Sequence, residues 1–174
     1  MKINPVKATA LLAVLFLVSC GANASAPTKP YAEIIIRPFS VSGAGIQDNP
    51  EVKAYAAGLP DEFSSLIKEY LAEYGAGHPV IINGTIAPGP GAVYVEGFFT
   101  DITTGSSASH TIGDFTGAKT TLRAHWAVIG PDGGKETHSE TSHSSNEGKG
   151  ALALRSDARR LAKHVAASII RFIH

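Results

Sequence analysis

The sequence predicts an α+β fold: a mixed sheet of about five strands in β-α-β-β-β-α order, with two main helices packed on it. Three observations carry this expectation. Ile34, Ile35 and Ile36 are consecutive and β-branched, which suits a strand covered on both faces better than one half-open to water. Residues 50–74 place apolar side chains at three- and four-residue spacing, and a strand-like segment follows at 78–86. Strand, long helix and strand imply a parallel pair joined by a right-handed crossover. Residues 151–173 repeat the helical spacing after a run of strands and turns.

Pro38 ends the first strand, because it can neither donate to a ladder nor relax its backbone. The connector SGAGIQDNPE (42–51) is glycine-rich. It lacks the lysine and the G-x-x-x-x-G-K-[ST] spacing of a phosphate cradle and reads as a plain connector. Across 50–74 the recurring residues are Val52, Tyr55, Ala56, Leu59, Phe63, Leu66, Ile67, Tyr70, Leu71 and Tyr74. Asn49 is placed to cap the helix, with Pro50 in its first turn and Glu51 at the positive end of its dipole. Pro60 interrupts the run, so a kink or break is expected near Gly58-Leu59-Pro60, then a clean helix to Gly75.

PGPG at 88–91 breaks the chain. In the next strand, Val93, Val95 and Phe99 alternate with Tyr94, Glu96, Phe98 and Thr100. Residues 103–119 are rich in Gly, Ser and Thr and read as a long loop or ragged hairpin, which leaves the strand order around them open. A hairpin follows: Leu122, Ala124, Trp126 and Val128 share one face, 130–134 make the turn, and 135–144 are polar on both faces, as suits an edge strand. In the last helix Leu154, Ala158, Leu161, Val165, Ile169 and Phe172 form the apolar stripe, while Arg155, Arg159, Arg160, Lys163 and Arg171 fall mostly off it.

The chain has 174 residues, with 15 basic and 15 acidic side chains. That length suits one domain, and the balance argues against a nucleic-acid partner, which would need a concentrated basic excess. The single cysteine excludes an internal disulfide.

That cysteine has a telling setting. Lys2 and Lys7 precede an uncharged apolar run at 8–18, the length of a signal-peptide core and short of the ~20 residues that span a bilayer. Leu17-Val18-Ser19-Cys20 then resembles the lipobox of bacterial lipoprotein precursors. The resemblance implies cleavage between Ser19 and Cys20, a diacylglycerol on the Cys20 thiol, and acyl chains such as palmitate that hold the protein to a membrane. Gly21 stands where an aspartate would favour the inner membrane, so the resemblance implies the outer membrane, facing the periplasm. The expected division is a signal peptide (1–19), a lipidated tether (20–30) and a single α+β domain (31–174).

Few groups converge on chemistry. In KETHSETSH (135–143), Glu136, His138 and Glu140 face one way on a strand and His143 the other. Glutamates flanking one histidine splay apart, so a solvated edge strand fits better than a metal site. Ser106, Ser109, His110 and Asp114 lie in one glycine-rich segment, and no G-x-S-x-G elbow marks a nucleophile. His125 reads as a surface or hydrogen-bonded core residue, and the Asn83-Gly84-Thr85 sequon as accidental. Neither a metal nor a cofactor is expected. The remaining candidate is the cationic set Arg155, Arg159, Arg160 and Lys163. It is either a solvated face or a contact for acidic lipid headgroups or a partner protein.

The order of lipobox, AEIIIRPF, AAGLPDEFSSLIKEYLAEYG, VIINGTI, glycine-rich hairpins and closing helix resembles an uncharacterised family of Gram-negative envelope lipoproteins. It also resembles the N-terminal domains of the curli-secretion lipoprotein and of the Tol system's periplasmic protein. The resemblance implies a non-enzymatic binding or accessory module in envelope assembly, transport or secretion. Its implied partners are the membrane through the lipid, and an envelope protein or further copies of itself. The alternatives are a module for a small ligand or peptidoglycan fragment with 103–119 as a lid, and, third, a hydrolase using Ser109 or His110.

Overall fold

Ile34, Ile35 and Ile36 are fully buried in β1 (Glu33–Ile36). The structure, a computed structural model, describes residues 31–82, 89–104, 120–144 and 150–174. β1 is an interior strand, paired in parallel with both β3 (Val80–Ile82) and β4 (Ala92–Thr103). Ile34 and Ile36 enter the main core, whereas Ile35 packs with Ala92, Tyr94 and Ile129 in a second cluster on the opposite face. Two covered faces explain three apolar residues in a row.

The sheet order is β3-β1-β4-β5-β6, with β5 spanning Thr120–Ile129 and β6 Lys135–Ser144. A sixth strand, β2 (Gly45–Ile46), lies where a plain connector is expected, and it pairs in parallel with β4. Residues 33–46 therefore run along one edge of β4 and touch it three times: Glu33 opposite Ala92, Ser40 opposite Phe98, and Gly45 opposite Asp101. A two-residue strand is too short to show a period, which is why the connector conceals it.

α1 (Pro50–Glu73) is capped as expected: the Asn49 side chain accepts from Glu51 N at 2.8 Å and Val52 N at 3.3 Å. Of the kink or break expected near Pro60, the break does not occur: the helix continues through the proline. The buried side chains Val52, Ala56, Leu59, Phe63 and Ile67 run past the proline without a gap, so packing outweighs the lost hydrogen bond. Ser64 Oγ donates to the Pro60 carbonyl at 2.7 Å. At the far end Gly75 takes φ +68°, with Ala76 N donating to Leu71 O and Gly75 N to Ala72 O, the paired bonds of a Schellman stop.

β4, β5 and β6 form an antiparallel meander, and β6 is an edge strand as its polar sequence predicts. A register shift between Phe99 and Asp101 interrupts β4. It lets Phe99 and Ile102, three residues apart, both enter the core. α2 (Ala151–Ile173) packs beside α1, and both helices cover the same face of the sheet. Phe39, Phe63 and Phe99 meet at the centre, with ring centroids 4.8 Å apart for Phe39–Phe63 and 5.1 Å for Phe63–Phe99. Among the described residues no helix is long and apolar enough to cross a membrane. Ser19, Cys20, the 20–30 tether, Asn83, and Ser106, Ser109, His110 and Asp114 lie outside the described residues, as does most of the 103–119 segment.

Candidate functional site

Polar chemistry gathers at the seam between β6 and α2, on the sheet face opposite the helices, and along the outer side of α2. The seam is built by register. Pairing places Trp126 opposite His138, Ala124 opposite Glu140 and Leu122 opposite Ser142. The core face of β5 thus continues onto β6 as polar side chains, which face α2. His138 stacks on the Trp126 indole at 5.2 Å and 21°, and Trp126 Nε1 donates to Ser168 Oγ at 2.9 Å. Glu140 pairs with His164 of α2, while Glu136 lies 3.7 Å from His138. The two glutamates thus engage different imidazoles. A cleft of about 550 Å³ opens here between Trp126, His138, His164 and Arg171. Among the described residues no three His, Cys, Asp or Glu side chains are placed to hold a metal.

Deeper in the same seam, Asp157 is 0% exposed. It accepts from Thr120 Oγ1, from Ser142 Oγ at 2.8 Å, and sits 3.9 Å from Arg160 Nη1. Sequence reasoning missed it, yet the signal was present: Asp157 stands between Leu154, Ala158 and Leu161, on the apolar stripe itself. A carboxylate there must find donors or disrupt the core. At the α1–α2 contact the Tyr55 hydroxyl is buried without a hydrogen-bond partner among the described residues, and burial, followed by the charge of Glu62, pushes its pKa up.

On the open sheet face Phe98, 48% exposed, stacks flat on His125 at 5.2 Å and 13°. Together with Glu96, Lys135 and Thr137 they line a concavity of about 460 Å³. His125 Nε2 lies 3.5 Å from Ser139 Oγ and His143 Nδ1 3.3 Å from Thr121 Oγ1. Both are direct cross-strand partners. Among the described residues the carboxylate-paired imidazoles are those of His138 and His164, so neither hydroxyl–imidazole pair has the orienting acid of a triad.

The cationic candidates sit on the outer side of α2 and differ in what they touch. Arg155 Nε lies 3.8 Å from Glu62 of α1. Arg160 donates to the His143 carbonyl at 3.1 Å, which ties the helix to the edge strand. Arg159 and Lys163 are exposed and have no ion-pair partner among the described residues.

Neither a family model nor a curated protein matches the chain. Among solved structures it is similar to the PelC dodecamer from Paraburkholderia phytofirmans, at 13% identity over 78% of this chain and 86% of that one, with a TM-score of 0.49. It is also similar to a minor lipoprotein from Acinetobacter baumannii (10% identity, 80% and 90% covered, TM-score 0.37) and to rare lipoprotein B from Shewanella oneidensis (9%, 78% and 91%, 0.37). At this identity and similarity no functional assignment passes from these proteins to this chain.

Proposed function

We propose that the chain is a bacterial envelope lipoprotein, lipidated at Cys20 and held at the outer membrane facing the periplasm. Its α+β domain serves as a non-enzymatic binding or accessory module in envelope assembly, transport or secretion. One observation carries this reading: the only cysteine closes Leu17-Val18-Ser19-Cys20 behind a charged start and an apolar run, eleven residues ahead of Tyr31. Several acyl chains, at ~0.8 kcal/mol per buried methylene, make such an anchor effectively permanent. Mass spectrometry of protein made in a Gram-negative host tests it. The expected species begins at an acylated Cys20, and a free thiol there or a start at another residue refutes the reading. Crosslinking in intact cells then identifies the envelope partner or further copy that the module contacts.

The concavity at Phe98 and His125 favours a second reading, a module for a small ligand with a flat apolar face. Phe98→Ala would then abolish ligand-dependent thermal stabilisation while leaving the protein folded.

A further inference from the structure

We propose that the outer side of α2 rests on an anionic lipid surface, an inference that builds on the lipid-anchor reading. α2 carries Arg155, Arg159, Arg160, Lys163 and Arg171, all exposed, and its one carboxylate, Asp157, is fully buried. Arg155, Arg159 and Lys163 follow one another at four-residue spacing and form a single row. At the start of the helix Leu152 is 68% exposed on the same side, an apolar side chain able to enter a headgroup layer. α1 is the opposite: Glu51, Asp61, Glu62, Glu69 and Glu73 stand against Lys53 and Lys68. The helical layer is therefore acidic along α1 and basic along α2, and an anionic surface would attract one side and repel the other.

Where the chain enters the fold adds a second argument. Tyr31 stacks on Phe172 in the last turn of α2, at 6.4 Å. Cys20 stands eleven positions before Tyr31, so the anchor lies at most about 40 Å from that turn whatever path the chain takes. α2 itself is about 34 Å long. The anchor thus holds the basic side within reach of headgroups, at a high effective concentration.

The single tryptophan supplies the readout. Trp126 hydrogen-bonds Ser168 beneath α2, about one helix diameter (roughly 10–12 Å) from a surface touching the outer side. The full lipidated protein is mixed with vesicles of phosphatidylcholine alone, or of equal parts phosphatidylcholine and phosphatidylglycerol, each with a trace of dansyl-labelled headgroup. The protein should float with both. Energy transfer from Trp126 should rise only on the anionic vesicles, fall back at high salt, and be lost in R159Q/K163Q, two exposed side chains with no ion-pair partner among the described residues. Equal transfer on both vesicle types, or a double variant indistinguishable from wild type, overturns the inference.

Failure to float with phosphatidylcholine refutes the lipid anchor instead. The basic side is then read from salt-sensitive flotation with anionic vesicles alone, expected to weaken about fivefold per neutralised residue. No flotation there overturns the inference as well. Salt-sensitive self-association that R159Q/K163Q abolishes, with no dependence on anionic lipid, would assign this side to the acidic α1 of a second copy and refute the lipid contact.

Discussion

Replacing Asp157 by alanine should be among the most damaging single substitutions in the chain. The carboxylate is fully buried and accepts hydroxyl protons from Thr120 of β5 and Ser142 of β6, so it fastens α2 to both strands of the hairpin. Its loss leaves the Ser142 hydroxyl without its acceptor and removes one from Thr120. Each buried group stranded in this way costs about 1–3 kcal/mol, partly offset because a buried charge disappears too. The net expectation is about 2–4 kcal/mol, read as a lower urea midpoint at unchanged slope and a melting temperature lower by roughly 5–15 °C. Asn, which keeps one acceptor oxygen, should lose about half as much. In Thr120→Val/Ser142→Ala the donors are already gone, so adding Asp157→Ala should cost clearly less than it does in wild type. A loss within about 0.5 kcal/mol, as for an ordinary surface site, or strict additivity with the donor variants, would refute this account of the seam.

Gly97→Ala should destabilise by about 1–3 kcal/mol, because a β-carbon there would stand 2.6 Å from the His125 carbonyl oxygen and run into the Phe39 ring. Urea denaturation checks it, and a silent substitution would contradict the close approach of β4 and β5. Tyr55→Phe should be neutral or stabilising by up to about 1 kcal/mol, since it removes a buried hydroxyl that lacks a partner. The same site sets a pH limb. A phenol raised above its usual 10.0 contributes stability that is fully present below that pH and is lost as pH rises toward the folded value. Tyr55→Phe should therefore make the alkaline loss of stability shallower than in wild type. Glu51→Ala should cost about 0.5–1 kcal/mol and speed amide exchange in the first turn of α2. Gly150 offers no side-chain cap, and Glu51 Oε1 accepts from Ala151 N at 2.9 Å across the two helices.

Where burial alternates with a regular period, the fold was legible in the residues. The isoleucine triplet of β1, the stripe of α1 with its Asn49 cap and Gly75 stop, and the hairpin with its polar outer strand all stand where their patterns place them. The mismatches have local causes. Pro60 argues for a break by its own chemistry, but Leu59 and Phe63 beside it are wholly buried, and tertiary packing decided the outcome. β2 is two residues long and owes its existence to β4, more than fifty positions later. The site was less legible, because its contacts join distant elements. Nothing near His164 names Glu140, and nothing near Ala151 names Glu51. Asp157 is the exception, a charge on an apolar stripe.

The place of β1 in the sheet has a mechanical consequence. Residues before Tyr31 lead directly into a strand gripped on both sides by parallel neighbours. A pull on that end loads the backbone hydrogen bonds of both ladders together, in shear, whereas a pull across an edge strand would open them one at a time. Tension arriving from the N-terminal side would thereby be spread over the middle of the sheet.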